Sequence, residues 1–128
     1  MPLTRISLRA GRDAAWQRAL VMGIDAALRE TFAVPEDDRF MLIHEHAAET
    51  FVYGATYLDI PRSDDLVIIQ ITCNDTRSTA QKRALFRAIA DRLARDPGLR
   101  PEDVLISLIE VKPENWSLGR GAMQYGPT

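Results

Sequence analysis

The sequence predicts an α/β (α+β) protein: two β-α-β units forming a four-stranded mixed sheet with two helices on one face. Three observations carry that expectation. Arg18-Ala19-Leu20 recurs as Arg83-Ala84-Leu85 in the second half, and the same offset takes Ile24 onto Ile89 and Leu28 onto Leu93. One residue further out of step, Pro35-Glu36-Asp37 lies over Pro101-Glu102-Asp103, and an apolar run follows each. The apolar residues keep a helical period in the first part of each half and a strand-like run in the second.

Taken in order, Met1-Pro2-Leu3-Thr4-Arg5-Ile6 opens a strand at the start of the chain. Leu20, Ile24 and Leu28 give a helix from about Asp13 to Phe32, one apolar stripe wide. Phe40-Met41-Leu42-Ile43 is the second strand. Phe51 to Leu58 reads as an extended segment broken at Gly54, and Pro61 to Asp65 as the surface connection into the second unit. Leu66 to Thr72 is a buried strand ending at Cys73. Ser78-Thr79-Ala80-Gln81 has capping-box spacing, so a helix starts at Ser78. Leu85, Ile89 and Leu93, widened by Phe86 and Ala90, form its stripe, and Asp96-Pro97-Gly98 ends it. Val104-Leu105-Ile106 is the last strand. Strands joined by a helix of this length run parallel. The whole chain, 1–128, is expected to be a single domain with pseudo-repeat halves of about 2–60 and 61–128. With both helices on one face, the apolar second face calls for cover, so self-association is expected.

Composition removes several function classes. The 128 residues carry a net charge of −2, and nearly all cations are arginines, with only Lys82 and Lys112 as lysines. No basic stripe suggests nucleic acid, and no apolar run approaches the length of a membrane span. Neither is a signal peptide recognisable ahead of the first strand. Cys73 is the sole cysteine, which excludes an internal disulfide and a cysteine-rich metal site. A cytoplasmic, cofactor-free protein fits these counts. His44 and His46 share one strand face but lack an evident third ligand, which favours a structural or surface role over zinc. Gly119-Arg120-Gly121 has the wrong spacing for a phosphate loop. Glu49, Asp64 and Asp65 read as solvated surface charges.

Pro2 is the residue with the clearest chemical potential. A small residue after Met1 favours methionine removal, which would leave a prolyl secondary amine as the N-terminus. Desolvation and nearby cations disfavour the charged form of such an amine, so it could act as base or nucleophile near neutral pH. The alternative is an ordinary Met-Pro start without chemical consequence. Asp38 can equally cap a turn or pair with Arg39, and Arg77 can equally be a solvated residue ahead of a helix.

Met1-Pro2, the two β-α-β halves, Val34 to Phe40, Thr76-Arg77-Ser78 and the tail Glu114-Asn115-Trp116-Ser117-Leu118-Gly119-Arg120-Gly121 together resemble the tautomerase superfamily. The nearest group is that of malonate semialdehyde decarboxylase. The resemblance spans essentially the whole chain. It implies a trimer and a catalytic Pro2 acting as general acid and base. It also implies Asp38 beside that proline, polarising a carbonyl, activating water or tuning the amine. Arg77 would be the catalytic and substrate-binding arginine, clamping a carboxylate; Trp116, Leu118 and Tyr125 would be the apolar wall. One departure is plain: Asp75 stands where the decarboxylase has a second arginine. The implied function is a cofactor-free keto–enol tautomerase of small 2-keto or enol carboxylates. Two alternatives stay open: a decarboxylase or hydratase of 3-oxo acids, and a catalytically silent trimeric binding module.

Overall fold

A computed structural model describes all 128 residues. The elements are β1 (Pro2–Arg9), α1 (Ala14–Phe32), β2 (Phe40–His46), β3 (Val67–Asn74), α2 (Thr79–Arg95) and β4 (Val104–Val111). They form one sheet in the order β2-β1-β3-β4. Each outer strand runs parallel to the strand that precedes it in sequence, because a helix carries the chain back across the sheet between them. The central pair, β1 and β3, is antiparallel. The repeat offset seen in the sequence holds at the level of pairing: Leu3 faces Phe40, and at the equivalent positions of the second half Ile68 faces Leu105.

Alternation along the strands sorts the two faces. Thr4, Ile6 and Leu8 of β1 and Val67, Ile69, Ile71 and Cys73 of β3 are buried under the helices. Leu20, Ile24 and Leu28 of α1 and Leu85, Ile89 and Leu93 of α2 meet them, which is the stripe the periodicity gave. Each helix starts where a side chain satisfies a first-turn amide. Asp13 accepts from the Trp16 N–H at 2.8 Å, and Ser78 and Gln81 form a complete capping box. The offset therefore also relates the two caps.

One expectation needs correction. Phe51 to Leu58 is not an extended segment but a largely exposed loop, anchored by buried Phe51, that follows a short 3-10 turn at Ala48–Thr50 and runs into another at Tyr57–Asp59. Its shape is set by the Arg62 guanidinium, which donates to the Gly54 and Tyr57 carbonyls at 3.0 and 2.9 Å. An arginine thus supplies the donors that a neighbouring strand would otherwise provide. Asp64 and Asp65 are exposed surface charges, as expected, and each also holds a partner. Asp64 accepts from the Tyr53 hydroxyl and pairs with Arg9, while Asp65 pairs with Arg12.

The face of the sheet turned away from the helices is uncovered. Its centre is polar, where Arg5 faces Gln70, and its flanks are apolar, with Phe40, Leu42, Leu105 and Ile109 exposed. It is therefore more mixed than the run of apolar residues suggested. Beside it, Val52, Tyr57, Ile68 and Leu105 line an apolar cleft of about 340 Å³. No helix is long and apolar enough to cross a membrane.

Candidate active site

The parallel and antiparallel pairings bring four chain segments to one end of the sheet. The start of β1 and the start of β2 lie side by side, and the ends of β3 and β4 lie beside them. Pro2 is buried there, on the helix-facing side, opposite Cys73. The end of α1 and the start of α2 cover the same region, so the residues just after α1 and just before α2 frame it.

Asp38 comes from the turn between α1 and β2, which is closed by the Asp38 N–H donating to the Pro35 carbonyl at 3.1 Å. One carboxylate oxygen, Oδ2, lies 3.4 Å from the terminal nitrogen of Met1, and both side chains are largely buried. The other, Oδ1, is buried without a hydrogen-bond partner. A buried polar atom left unpaired costs stability, and such atoms concentrate where a ligand or water completes the site. Arg39 does not pair with Asp38. Its guanidinium instead donates at 2.8 Å to Asp25, which is 2% exposed. That anchor holds the strand-proximal side of the turn, and the Asp25 carboxylate beside it raises the Arg39 pKa.

Arg77 immediately precedes the Ser78 cap. Its Nη2 donates to the Phe32 carbonyl at 3.0 Å, and its guanidinium lies 4.9 Å from the Phe32 ring centre. Between Pro2 and Arg77 sits Cys73. Burial pushes its thiol above the ordinary value, and the Arg77 cation partly offsets that. The thiol is a core group here and not a nucleophile. Lys82 and Glu110 close the side of β4 as an ion pair at 2.8 Å.

The structure therefore brings Pro2, Asp38 and Arg77 to one end of the sheet. Trp116 joins them at the edge: its indole N–H donates to Asn74, the residue after Cys73, at 2.8 Å. Leu118 and Tyr125 lie further along the tail and are exposed in the single chain. Tyr125 shares a shallow cleft with Asp75, Lys112 and Glu114. Asp75 is exposed, its N–H bonded to the Val111 carbonyl. His44 lies on the uncovered face, 3.1 Å from Arg5, and the His46 ring packs against Phe51. Neither belongs to a group of three or more potential metal ligands.

Comparison with known proteins places this architecture. A family profile described as "Tautomerase enzyme" matches residues 38–119, and a second with the same description matches residues 2–60. The chain belongs to the tautomerase family. A probable tautomerase of Bacillus subtilis (strain 168), YusQ, is 40% identical over 124 residues, covering 97% of this chain and 98% of the relative. Among solved structures, a malonate semialdehyde decarboxylase superposes with a TM-score of 0.91 at 30% identity, over 96% of this chain and 95% of that one. The FG41 malonate semialdehyde decarboxylase, inhibited by 3-bromopropiolate, gives 0.90 at 33%, over 96% and 93%. A fused 4-OT, solved as a symmetric trimer, shares the fold with a TM-score of 0.78 at 17% identity, over 94% of each chain. This tautomerase family member is thus an enzyme, of the isomerase class or a closely related decarboxylase.

Three residues that shape the site escaped sequence reasoning. Asp25 was visible in principle, as a charge set within an apolar stripe beside Ile24 and Leu28. Phe32 looked like one more stripe residue, and nothing in the sequence marks its contact with Arg77. Asn74 gives no signal without the tertiary position of Trp116.

Proposed function

We propose that this chain is a cofactor-free tautomerase of small 2-keto or enol carboxylates, using Pro2 as its general base and acid after Met1 is removed. The observation that carries the reading is the start of the chain. Pro2 is buried, and the terminal nitrogen ahead of it lies 3.4 Å from an Asp38 carboxylate with an unpartnered oxygen. Freed of Met1, the ring nitrogen opens onto that space.

A neutral prolyl nitrogen takes a proton from the carbon next to the substrate carbonyl. The C–H electron pair becomes the C=C bond, and the carbonyl oxygen takes up the negative charge. The prolyl ammonium then returns its proton to that oxygen, giving the enol, or the steps run in reverse. Arg77 holds the carboxylate and moderates the enolate charge. The start of α2 adds an anion-favouring field in the same direction. Asp38 stabilises the prolyl ammonium between the two proton transfers. Trp116 forms the apolar side of the mouth, with Leu118 and Tyr125 completing it in the assembled protein. A cytoplasmic setting accompanies this reading.

The uncovered face of the sheet supports a homotrimer, the state in which the fused 4-OT of the same fold was solved. Exposed Leu42, Leu105 and Ile109 surround a polar centre, the composition of a face buried against copies of itself.

A second reading, decarboxylation or hydration of a 3-oxo acid, is favoured by the likeness to two malonate semialdehyde decarboxylases. Asp75, exposed beside the site, adds a negative charge where those reactions would benefit from a second cation. The experiment is a comparison of parent and Pro2→Ala on phenylpyruvate and malonate semialdehyde, following enol formation and carbon dioxide release. Pro2→Ala should lower phenylpyruvate turnover more than tenfold. Equal rates in both proteins would refute the reading, and faster carbon dioxide release than enolisation in the parent would replace it with the second.

A further inference from the structure

We infer that Phe32 is a positioning residue that aims Arg77 at the substrate, and this rests on the carboxylate-binding role proposed above for that arginine. Arg77 follows a turn, and a guanidinium on a flexible stem has many rotamers to lose before it can make a two-point contact. Here Phe32 removes that freedom twice over. Its carbonyl accepts from Nη2 at 3.0 Å, and its ring lies under the guanidinium at 4.9 Å. The carbonyl is one of the last four of α1, which have no partner within the helix, so it is available to accept. The ring is 3% exposed and packed into the core, so the surface it offers is itself fixed. One edge and one face of the guanidinium are thus committed, and Nη1 makes only a long 3.4 Å contact to the Thr76 hydroxyl, which a carboxylate can displace.

The other half of the molecule contains a related arrangement, already loaded, in which the aromatic ring comes from the helix that follows the arginine and not from the end of the other one. Arg12 occupies the position of the first half equivalent to Arg77 and likewise precedes a helix cap, Asp13. Its guanidinium stacks 4.3 Å from the Trp16 ring centre, and its free edge holds the Asp65 carboxylate. An aromatic-backed arginine at this point of the repeat therefore presents its open edge to a carboxylate. In the first half that carboxylate is a residue of the chain itself. At Arg77 no acidic side chain of the chain is paired with the guanidinium, and the substrate takes the place that Asp65 fills.

Phe32 also sets the far side of the site. Ala33, directly after it, adopts a left-handed conformation (φ 53, ψ 37) that turns the chain into the segment carrying Asp38. One helix end thus fixes the distance between the cation and the carboxylate that flank Pro2.

The test uses the full chain with Phe32→Leu, which removes the ring, and Phe32→Tyr, which keeps it. Proton exchange at the carbon next to the carbonyl is followed in deuterated water, for phenylpyruvate and for carboxylate-free phenylacetaldehyde. Phe32→Leu should raise KM for phenylpyruvate about fivefold, the scale of one cation–π contact, with kcat nearly unchanged. Exchange on phenylacetaldehyde should stay at the parent rate, and Phe32→Tyr should keep the parent KM. Both substitutions should lower Tm, because the Phe32 side chain is buried, so a KM change confined to the ring-less variant is not a folding effect. An unchanged KM in Phe32→Leu, an equal rise in Phe32→Tyr, or an equal loss on phenylacetaldehyde overturns the inference. A second readout is independent of turnover: the side-chain N–H signals of Arg77 should exchange with water measurably faster in Phe32→Leu. If the parent turns over neither compound, the functional reading fails while this measurement still decides the role of Phe32. Unchanged Arg77 exchange overturns it.

Discussion

Counted from the strand register, Asp38 and Asp103 each lie two residues before the equivalent positions Phe40 and Leu105, and replacing each by alanine should give opposite results. Asp103 is fully buried and satisfied. It accepts from the Ser63 N–H and the Ser63 hydroxyl, both at 2.7 Å, and from Arg100 Nε at 3.2 Å. These bonds clasp the approach to β3 against the start of β4. Burial alone would raise its pKa, but the Ser63 and Arg100 donors outweigh burial and hold the carboxyl below its usual range. Hydrogen bonds to an ionised acceptor contribute about 1.5–3 kcal/mol each, less than additively. Asp103→Ala should therefore cost about 3 kcal/mol, or roughly 10 °C in Tm for a chain of this size. Asp38 has one oxygen buried and unpaired, so Asp38→Ala should change stability by no more than about 1 kcal/mol while lowering turnover at least tenfold. Urea unfolding at fixed protein concentration and initial rates on phenylpyruvate measure the two effects. The pH dependence has a definite sign. A carboxyl with a lowered folded-state pKa stabilises above its unfolded value of about 3.9, and that stability is lost as pH falls through the folded value. The parent should accordingly lose stability between pH 5 and about pH 3 more steeply than Asp103→Ala. If Asp103→Ala is as stable as the parent, or Asp38→Ala falls as far as Asp103→Ala, the two carboxylates do not divide structure and chemistry between them.

Three further outcomes are expected. Arg77→Ala should raise KM for phenylpyruvate by at least tenfold and spare phenylacetaldehyde, and steady-state kinetics on both would reveal a misplaced anion site. At Gly23, an added Cβ would sit 2.9 Å from Leu93 Cδ2, and Leu93 is fully buried. Gly23→Ala should thus lose about 1 kcal/mol despite its better helix propensity, and pairing it with Leu93→Val should recover much of that; strictly additive costs in urea melts would contradict the clash. Finally, Leu105→Glu on the uncovered face should shift light-scattering mass toward a single chain, whereas a mass equal to the parent's would move the interface elsewhere.

Much of the fold was legible because it is written twice. The stripes at Leu20-Ile24-Leu28 and Leu85-Ile89-Leu93 gave both helices, and the Ser78 cap gave a start that is met at the residue. The loop from Phe51 to Leu58 misled because its aromatic and β-branched residues suit a strand. The Arg62 guanidinium, just after the loop, satisfies its carbonyls instead, a contact that the strand-like composition does not display. Of the candidate site, Pro2 was marked by its place after Met1, while Asp38 and Arg77 were named through resemblance, and strand pairing brings the segments that carry them to one end of the sheet. What the sequence could not display was support at a distance. Phe32 lies far along the chain from Arg77, as Asn74 does from Trp116, and side chains so separated meet only once the sheet has formed. Leu118 and Tyr125 are the reverse case: the resemblance put them on the pocket wall, while in one chain they remain exposed.

The outermost strands, β2 and β4, each end the sheet with a row of backbone groups that no strand of the same chain meets. Both carry apolar side chains and neither is interrupted by proline or glycine, so Glu45 in one and Glu110 in the other are the only acidic residues that discourage templated pairing with another chain. A newly made polypeptide with such open ladders depends on prompt, correct docking for its solubility. Overexpression or damage to that docking would accordingly show first as precipitation, before any helix had melted.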